Sequence, residues 1–210
     1  MTLATSRVCP GPISEFERPC ARSSRTSLVT MAVEVTTVGH STHEPERFVE
    51  LLRGAKVEAI ADVRRFPGSR RLPWFAAEEM QRWLPEAGIA YAHLPELGGR
   101  RKPVPGSPNG GWEVCQFQGY ADHMGSSEFQ AGLDRLLSLA RDHSVAAMCA
   151  EGLWWRCHRR LIADALLVRG HGVAHLAPDG RAHPHELTPF AAVSGERVTY
   201  PPSQEQLPVG

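Results

Sequence analysis

The sequence predicts an α/β fold: a single domain with a mostly parallel central sheet of about five strands and helices on both faces. Three observations carry this expectation. Short apolar, β-branched runs alternate along the chain with amphipathic segments of helical period. The spacing between runs leaves room for the crossover connections that parallel strands require. Several runs also end in polar clusters, GHS at 39–41, DVR at 62–64 and CAE at 149–151, where α/β sheets collect ligands.

Residues 1–31 are rich in Arg, Ser, Thr and Pro and lack hydrophobic periodicity, so they read as a disordered segment or one upstream of a true start at Met31. The α/β domain is assigned to 32–185. Residues 33–38 alternate as a first strand, and Thr42 is expected to cap a helix with Pro45 in its first turn and Phe48, Leu51 and Leu52 inward. VEAIADV at 57–63 reads as a buried strand, 76–86 as a second helix and 89–94 as a third strand. Residues 95–119 are dense in glycine and proline and predict a long loop. A helix begins near 120–124, and a longer one covers 129–140. The fourth strand spans 145–149, the next helix 157–168 and the fifth strand 172–176. Residues 186–210 predict an irregular, proline-rich tail from which Leu187, Phe190 and Val193 can pack on the core.

Hydrophobic residues make up 42% and charged residues 22%, proportions of an ordinary soluble protein. The 23 basic and 23 acidic side chains cancel, which removes the net pull toward nucleic acid or membrane that a basic chain exerts. Lysine occurs only at 56 and 102, so the basic residues are almost all arginines, suited to bidentate anion contacts. The five cysteines form no CxxC and no secretory signal precedes them, which predicts reduced thiols and a cytoplasmic location. No apolar run is long enough to span a membrane.

The densest chemistry lies between 149 and 159, around Trp154 and Trp155. Cys149 ends a strand close to the next helix's N-terminus and to Arg156 and Arg159, surroundings that activate a thiolate; a buried core cysteine gives the same pattern. His158 is a general acid or base if Glu151 orients it, or a structural histidine. Cys157 and His158 fall on different helical faces, so one of the two is expected inward. Cys149, Glu151, Cys157 and His158, with His40 or His175, make a possible metal set. The usual pair of cysteines two to four residues apart is missing, however, so no metal and no cofactor is expected. Arg64, Arg65, Arg70 and Arg159 can meet an anion together with backbone N–H groups after Ser41 and Glu151, with Asp62 steadying an arginine. The alternative is that Asp62–Arg64 and Glu151–Arg159 are internal ion pairs. Trp74, Trp112, Trp154 and Trp155 lie in loops, where indoles stack on ligands or cover a core edge.

GHSTH, DVRRFPGSRR, LPELGGRR, QGYADHM and CAEGLWWRCHRRLIADAL, in this order over about residues 36–176, closely resemble a bacterial family named domain of unknown function 488. The family's usual block reads CAE-x-x-P/W-x-x-CHR, and this chain keeps Cys149, Glu151, Cys157, His158 and Arg159. It has Trp154 where proline is common, and Gln118 where the family often has arginine. The resemblance implies the domain limits and highlights these residues, and it implies no particular reaction.

The expected function is an enzyme acting on an anionic, phosphate-bearing substrate, a nucleotide or nucleic acid. Glu151, His158, Cys149 and Cys157 are the catalytic candidates, and His40, Ser41, Asp62, Arg64, Arg70 and Arg159 the substrate-binding ones. Two alternatives remain open: a non-catalytic nucleotide or nucleic-acid binding module, and a thiol-based redox or sulfur-handling protein. The expected partner is an anionic small molecule or nucleic acid, with no membrane association.

Overall fold

Strands β1 (Glu34–Gly39), β2 (Ala59–Asp62), β3 (Ala90–His93), β4 (Val145–Cys149), β5 (Gly172–Leu176) and β6 (Ala182–Pro184) form one sheet in the order β3-β2-β4-β1-β5-β6. The computed structural model describes residue 32 and residues 34–203. The reading of 1–31 and the end of the expected tail, 204–210, lie outside the described residues. Strands β1 to β5 pair in parallel, and β6 adds antiparallel to β5 as a sixth strand.

The alternation of side chains along each strand explains why both faces are covered. On β4, Val145, Ala147 and Cys149 enter one apolar cluster with residues of α4 (Ser127–Asp142) and α5 (Arg159–Val168), while Ala146 and Met148 enter the other. That second cluster takes Phe48, Leu51 and Leu52 from α1 (Pro45–Gly54) and Met80 and Leu84 from α2 (Ala77–Glu86). A strand buried on both faces reads as a continuous apolar run, as VAAMC does.

The layers also fix where the chain reverses direction across the sheet. From β2 it passes through α2 to β3 on one edge; from β4 it passes through α5 to β5 on the other side. Connections diverging from two neighbouring strands leave a crevice between their carboxyl ends. Here that crevice lies between β2 and β4.

Several element ends differ from the sequence expectation. Glu44, not Thr42, stands at the N-cap of α1, because Pro45 fits the first helical position, where its missing N–H is no loss. The expected loop 95–119 contains a 3-10 turn at Pro95–Leu97 and gives way to α3 (Cys115–Met124). Helix α5 starts at Arg159, since Trp154–Arg156 form their own 3-10 turn and Cys157 is extended. The tail is not irregular throughout: β7 (Ala192–Ser194) and β8 (Arg197–Thr199) pair as a hairpin, and Tyr200 beyond it is fully buried.

A buried polar chain ties that tail down. Asp164 on α5 accepts from Tyr200 OH at 2.7 Å, from Thr188 Oγ1 at 2.7 Å and N at 2.9 Å, and from His185 Nε2 at 2.9 Å. His185 Nδ1 meets His175 Nε2 at 2.9 Å, and His175 Nδ1 meets Thr37 Oγ1 at 2.6 Å. No helix among the described residues is long and apolar enough to cross a membrane.

Candidate functional site

The crevice opens as a cleft of about 780 Å³, a volume that takes a small organic ligand. Its walls come from the segments after β1, β2, β3 and β4 and from the N-terminal turn of α3. At the end of β1, His40 N donates to Cys149 O at 2.9 Å and Ser41 N to Ala150 O at 3.0 Å, so the β1–β4 ladder continues into the site. Gly39 permits the close approach: a Cβ there would lie 1.9 Å from the Glu151 carbonyl oxygen.

One wall is built around Arg64. Its Nε and Nη2 donate to Asp62 Oδ1 and Oδ2 at 2.8 and 2.5 Å, a two-pronged clamp, and Tyr91 OH donates to Asp62 Oδ2 at 2.8 Å. Burial works against the guanidinium charge, but the Asp62 carboxylate outweighs it and holds the pKa above its ordinary value. Arg64 Nη1 donates to His40 Nε2 at 3.2 Å. Burial first, then Arg64, pushes the His40 pKa down to about 4, so the ring is neutral. Asp62 therefore positions an arginine from behind the cleft, while Arg64 and His40 line it. Arg65, Arg100 and Arg156 line it too, all exposed and without a carboxylate partner among the described residues. The one carboxylate on the lining among the described residues is Glu151.

The floor carries the sulfurs. His158 Nδ1 lies 3.9 Å from Cys149 Sγ and 3.6 Å from Cys157 Sγ. Its Nε2 meets the Val63 carbonyl at 3.0 Å, and because a carbonyl only accepts, Nε2 is the protonated nitrogen of the neutral ring, the tautomer that turns the Nδ1 lone pair toward the sulfurs. That bond spans the crevice from the end of β2 to the turn after β4. Tyr120 packs on the ring at 5.0 Å between centroids and donates its hydroxyl to Leu97 O at 2.7 Å. Gly99 packs on it as well: a Cβ there would sit 2.9 Å from Nδ1 and 3.3 Å from both Cγ and Cε1, over the ring face rather than along the lone pair. For Cys157, burial opposes ionisation, but the hydrogen bond from Cys149 and nearby His158 and Arg159 hold its thiol well below the usual value. The same hydrogen bond, and then burial, push Cys149 up.

The structure thus brings His40, Ser41, Arg64, Cys149, Glu151, Cys157 and His158 onto one cleft. Three other expected residues lie elsewhere. Asp62 is buried behind Arg64, and Arg70 is exposed outside the cleft lining. Arg159 is only 1% exposed: its Nη2 donates to the Glu151 backbone oxygen and its Nε to Cys157 Sγ at 3.4 Å. Glu151 makes neither expected side-chain contact, since Val63 orients His158 and Arg159 uses the backbone of Glu151 rather than its carboxylate. Both Cys157 and His158 face the floor, because Cys157 is extended and His158 already helical, which turns neighbouring side chains to one side. His175 belongs to the Thr37–His185–Asp164 chain and is stacked under Trp154 at 3.9 Å.

Of the loop tryptophans only Trp155 reaches the cleft, where it and Phe66 are exposed aromatic groups. Trp74 donates to His43 O, and Trp112 packs among Phe117, Phe190 and Tyr200. Sequence reasoning missed Arg100 and Tyr120 as parts of the site. The signals for them are the paired glycines before Arg100 and the glycine before Tyr120, which mark close backbone approach.

No curated protein and no solved structure gives a match to this chain. A family model described as Domain of unknown function DUF488 matches residues 44–166. That span includes the Arg64 wall, the Gly99 loop, α3 and the Cys149–Cys157–His158 floor, and leaves His40 and Ser41 just outside it. The chain belongs to the DUF488 family.

Proposed function

We propose that this chain is an enzyme that acts on an anionic, phosphate-bearing substrate of nucleotide size, bound in the cleft between β2 and β4. The observation that carries the reading is the imbalance of the lining among the described residues, four arginines against one carboxylate, above a floor where two thiols and an imidazole converge. Arginines near a shielded cleft hold phosphate oxygens through paired N–H donors. Arg65, Arg100 and Arg156 would take the anion, and Arg64, already clamped by Asp62, would offer its remaining donor as a fixed point. Phe66 and Trp155 at the same cleft supply faces on which a base can stack. The chain's balanced net charge favours a compact anion over a long nucleic-acid track.

The test is thermal unfolding with pyrophosphate and with nucleoside di- and triphosphates. At ligand concentrations about a hundredfold above Kd, binding stabilises by about 2.7 kcal/mol, or several degrees for a domain of this size. Wild type should shift, and Arg65→Ala and Arg156→Ala, which break no ion pair among the described residues, should shift much less. A wild type that none of these anions stabilises, or variants that respond equally, would overturn the reading.

A further inference from the structure

We infer that Cys149, Cys157 and His158 form a binding site for a zinc-class divalent ion, with a fourth coordination position open to the cleft. The Sγ, Sγ and Nδ1 atoms all lie within 4.8 Å of one another. In a tetrahedral site with Zn–S of about 2.3 Å and Zn–N of about 2.0–2.1 Å, neighbouring N and S ligands stand about 3.6 Å apart. The observed N···S separations of 3.6 and 3.9 Å meet that edge length with almost no rearrangement. Two thiolates and one imidazole are the donor type that soft-to-borderline ions select, and the two negative charges match a divalent cation.

The surroundings are those of a ligand histidine. A metal-binding imidazole usually donates its other N–H to a carbonyl or carboxylate, which sets the tautomer and the ring orientation. His158 Nε2 does this to Val63 O at 3.0 Å. Tyr120 and Gly99 hold the ring by its faces and leave the lone-pair direction clear. Arg159 Nε donates to Cys157 Sγ at 3.4 Å, an outer hydrogen bond on a sulfur that would carry part of the negative charge. All three ligand residues line the cleft. An ion held by three protein ligands keeps a position for water or substrate, the arrangement of catalytic rather than structural zinc. The separation of eight positions between the cysteines hides the set from a spacing rule. The turn from extended Cys157 to helical His158 then lets adjacent residues serve as two ligands. The site rests on ligand geometry and does not require the anion reading.

The experiment is metal analysis of full-length protein purified without chelator, followed by stripping and reconstitution with cobalt(II). Wild type should carry about one zinc-class ion per chain, and the cobalt form should show the thiolate charge-transfer band and strong visible d–d bands of a tetrahedral sulfur-bound ion. A variant with Cys9, Cys20 and Cys115 all replaced by alanine should keep both properties, while Cys157→Ala and His158→Ala should lose at least about tenfold in metal affinity. Wild type that takes up cobalt without a thiolate band overturns the site. So does a folded Cys157→Ala that retains full stoichiometry. Because the cobalt spectrum is read on wild type, misfolding of a variant does not blunt the test. Pyrophosphate-induced stabilisation of the stripped protein judges the anion reading separately.

Discussion

Arg100 faces two demands at a single residue. Its backbone is left-handed, with φ of 59°, a region that costs a side chain about 1–2 kcal/mol. Ser41, with φ of 50°, lies on the same cleft. Local strain of this kind persists where the surrounding fold enforces it, and it gathers at functional sites. Arg100→Gly relieves the strain and removes a cleft guanidinium together. Stability should therefore hold or rise within about 1 kcal/mol, after the larger unfolded-state entropy of glycine is counted. The stabilisation by pyrophosphate should shrink in the same variant. Urea unfolding with and without pyrophosphate reads both quantities, and a loss of stability with an unchanged anion response would contradict both assignments. Arg159 illustrates why some residues resist a sequence reading. An arginine at the first position of a helix looks like a surface cation, yet here it is buried beneath the loop and satisfies the Glu151 carbonyl. Only the three-dimensional path of 150–158 makes that carbonyl available.

The strands were legible because their apolar runs are short and bounded: 145–149 and 172–176 coincide with β4 and β5. α3 was harder. Its buried residues, from Gly119 to Met124, crowd its second half, while Cys115 and Gln116 present no apolar face, so the hydrophobic rhythm begins a turn and a half late. The turn after β4 was legible as a location but not as a geometry, since its side-chain directions depend on an extended-to-helical break between two adjacent residues. Gly39 offers a test at the level of the elements. A methyl group there meets the Glu151 backbone oxygen at 1.9 Å, its carbonyl carbon at 2.7 Å and Gly152 Cα at 2.9 Å. None of these atoms belongs to a side chain that can rotate away. Gly39→Ala should push the 150–152 segment off the end of β1 and destabilise by about 1–3 kcal/mol, the usual cost of overpacking, readable as a lower urea midpoint. The same shift moves the carbonyl that Arg159 holds, so metal stoichiometry should fall as well. Unchanged stability and metal content would show that the segment tolerates a gap the structure lacks.

Across the whole molecule, the alternation of strands and helices foretold the parallel sheet and the crevice, because both follow from connectivity. The way the tail fastens to that sheet did not emerge, because Asp164, His175, His185, Thr188 and Tyr200 lie on separate elements and look individually like helix, strand and loop polar residues. Their burial has a consequence for acid stability. Burial first, and then His185, pushes the His175 pKa down to about 3 from the ordinary 6.5. Between those values the unfolded chain binds a proton that the folded chain refuses, so stability rises with pH in this window and is lost on acidification below about 6.5. The slope for this one group is about 1.4 kcal/mol per pH unit. Asp164, whose pKa is lowered despite its burial by bonds from His185, Thr188 and Tyr200, acts in the same sense at still lower pH. Urea midpoints of wild type should fall between pH 6 and 4, and His175→Gln, which cannot charge, should show a pH slope smaller by about one proton. Equal slopes would place the acid sensitivity elsewhere.

Trp154 stacks on this buried histidine on one side, its ring nearly parallel at 6° and 3.9 Å, and meets Trp155 edge-on at 5.6 Å on the other. Trp155 is half exposed on the cleft. The indole pair therefore joins the solvent-facing rim to a fully buried imidazole. Its emission is a native optical gauge: an occupant of the cleft would alter the environment of one ring, and a proton arriving on His175 would quench the other, with no dye or label attached.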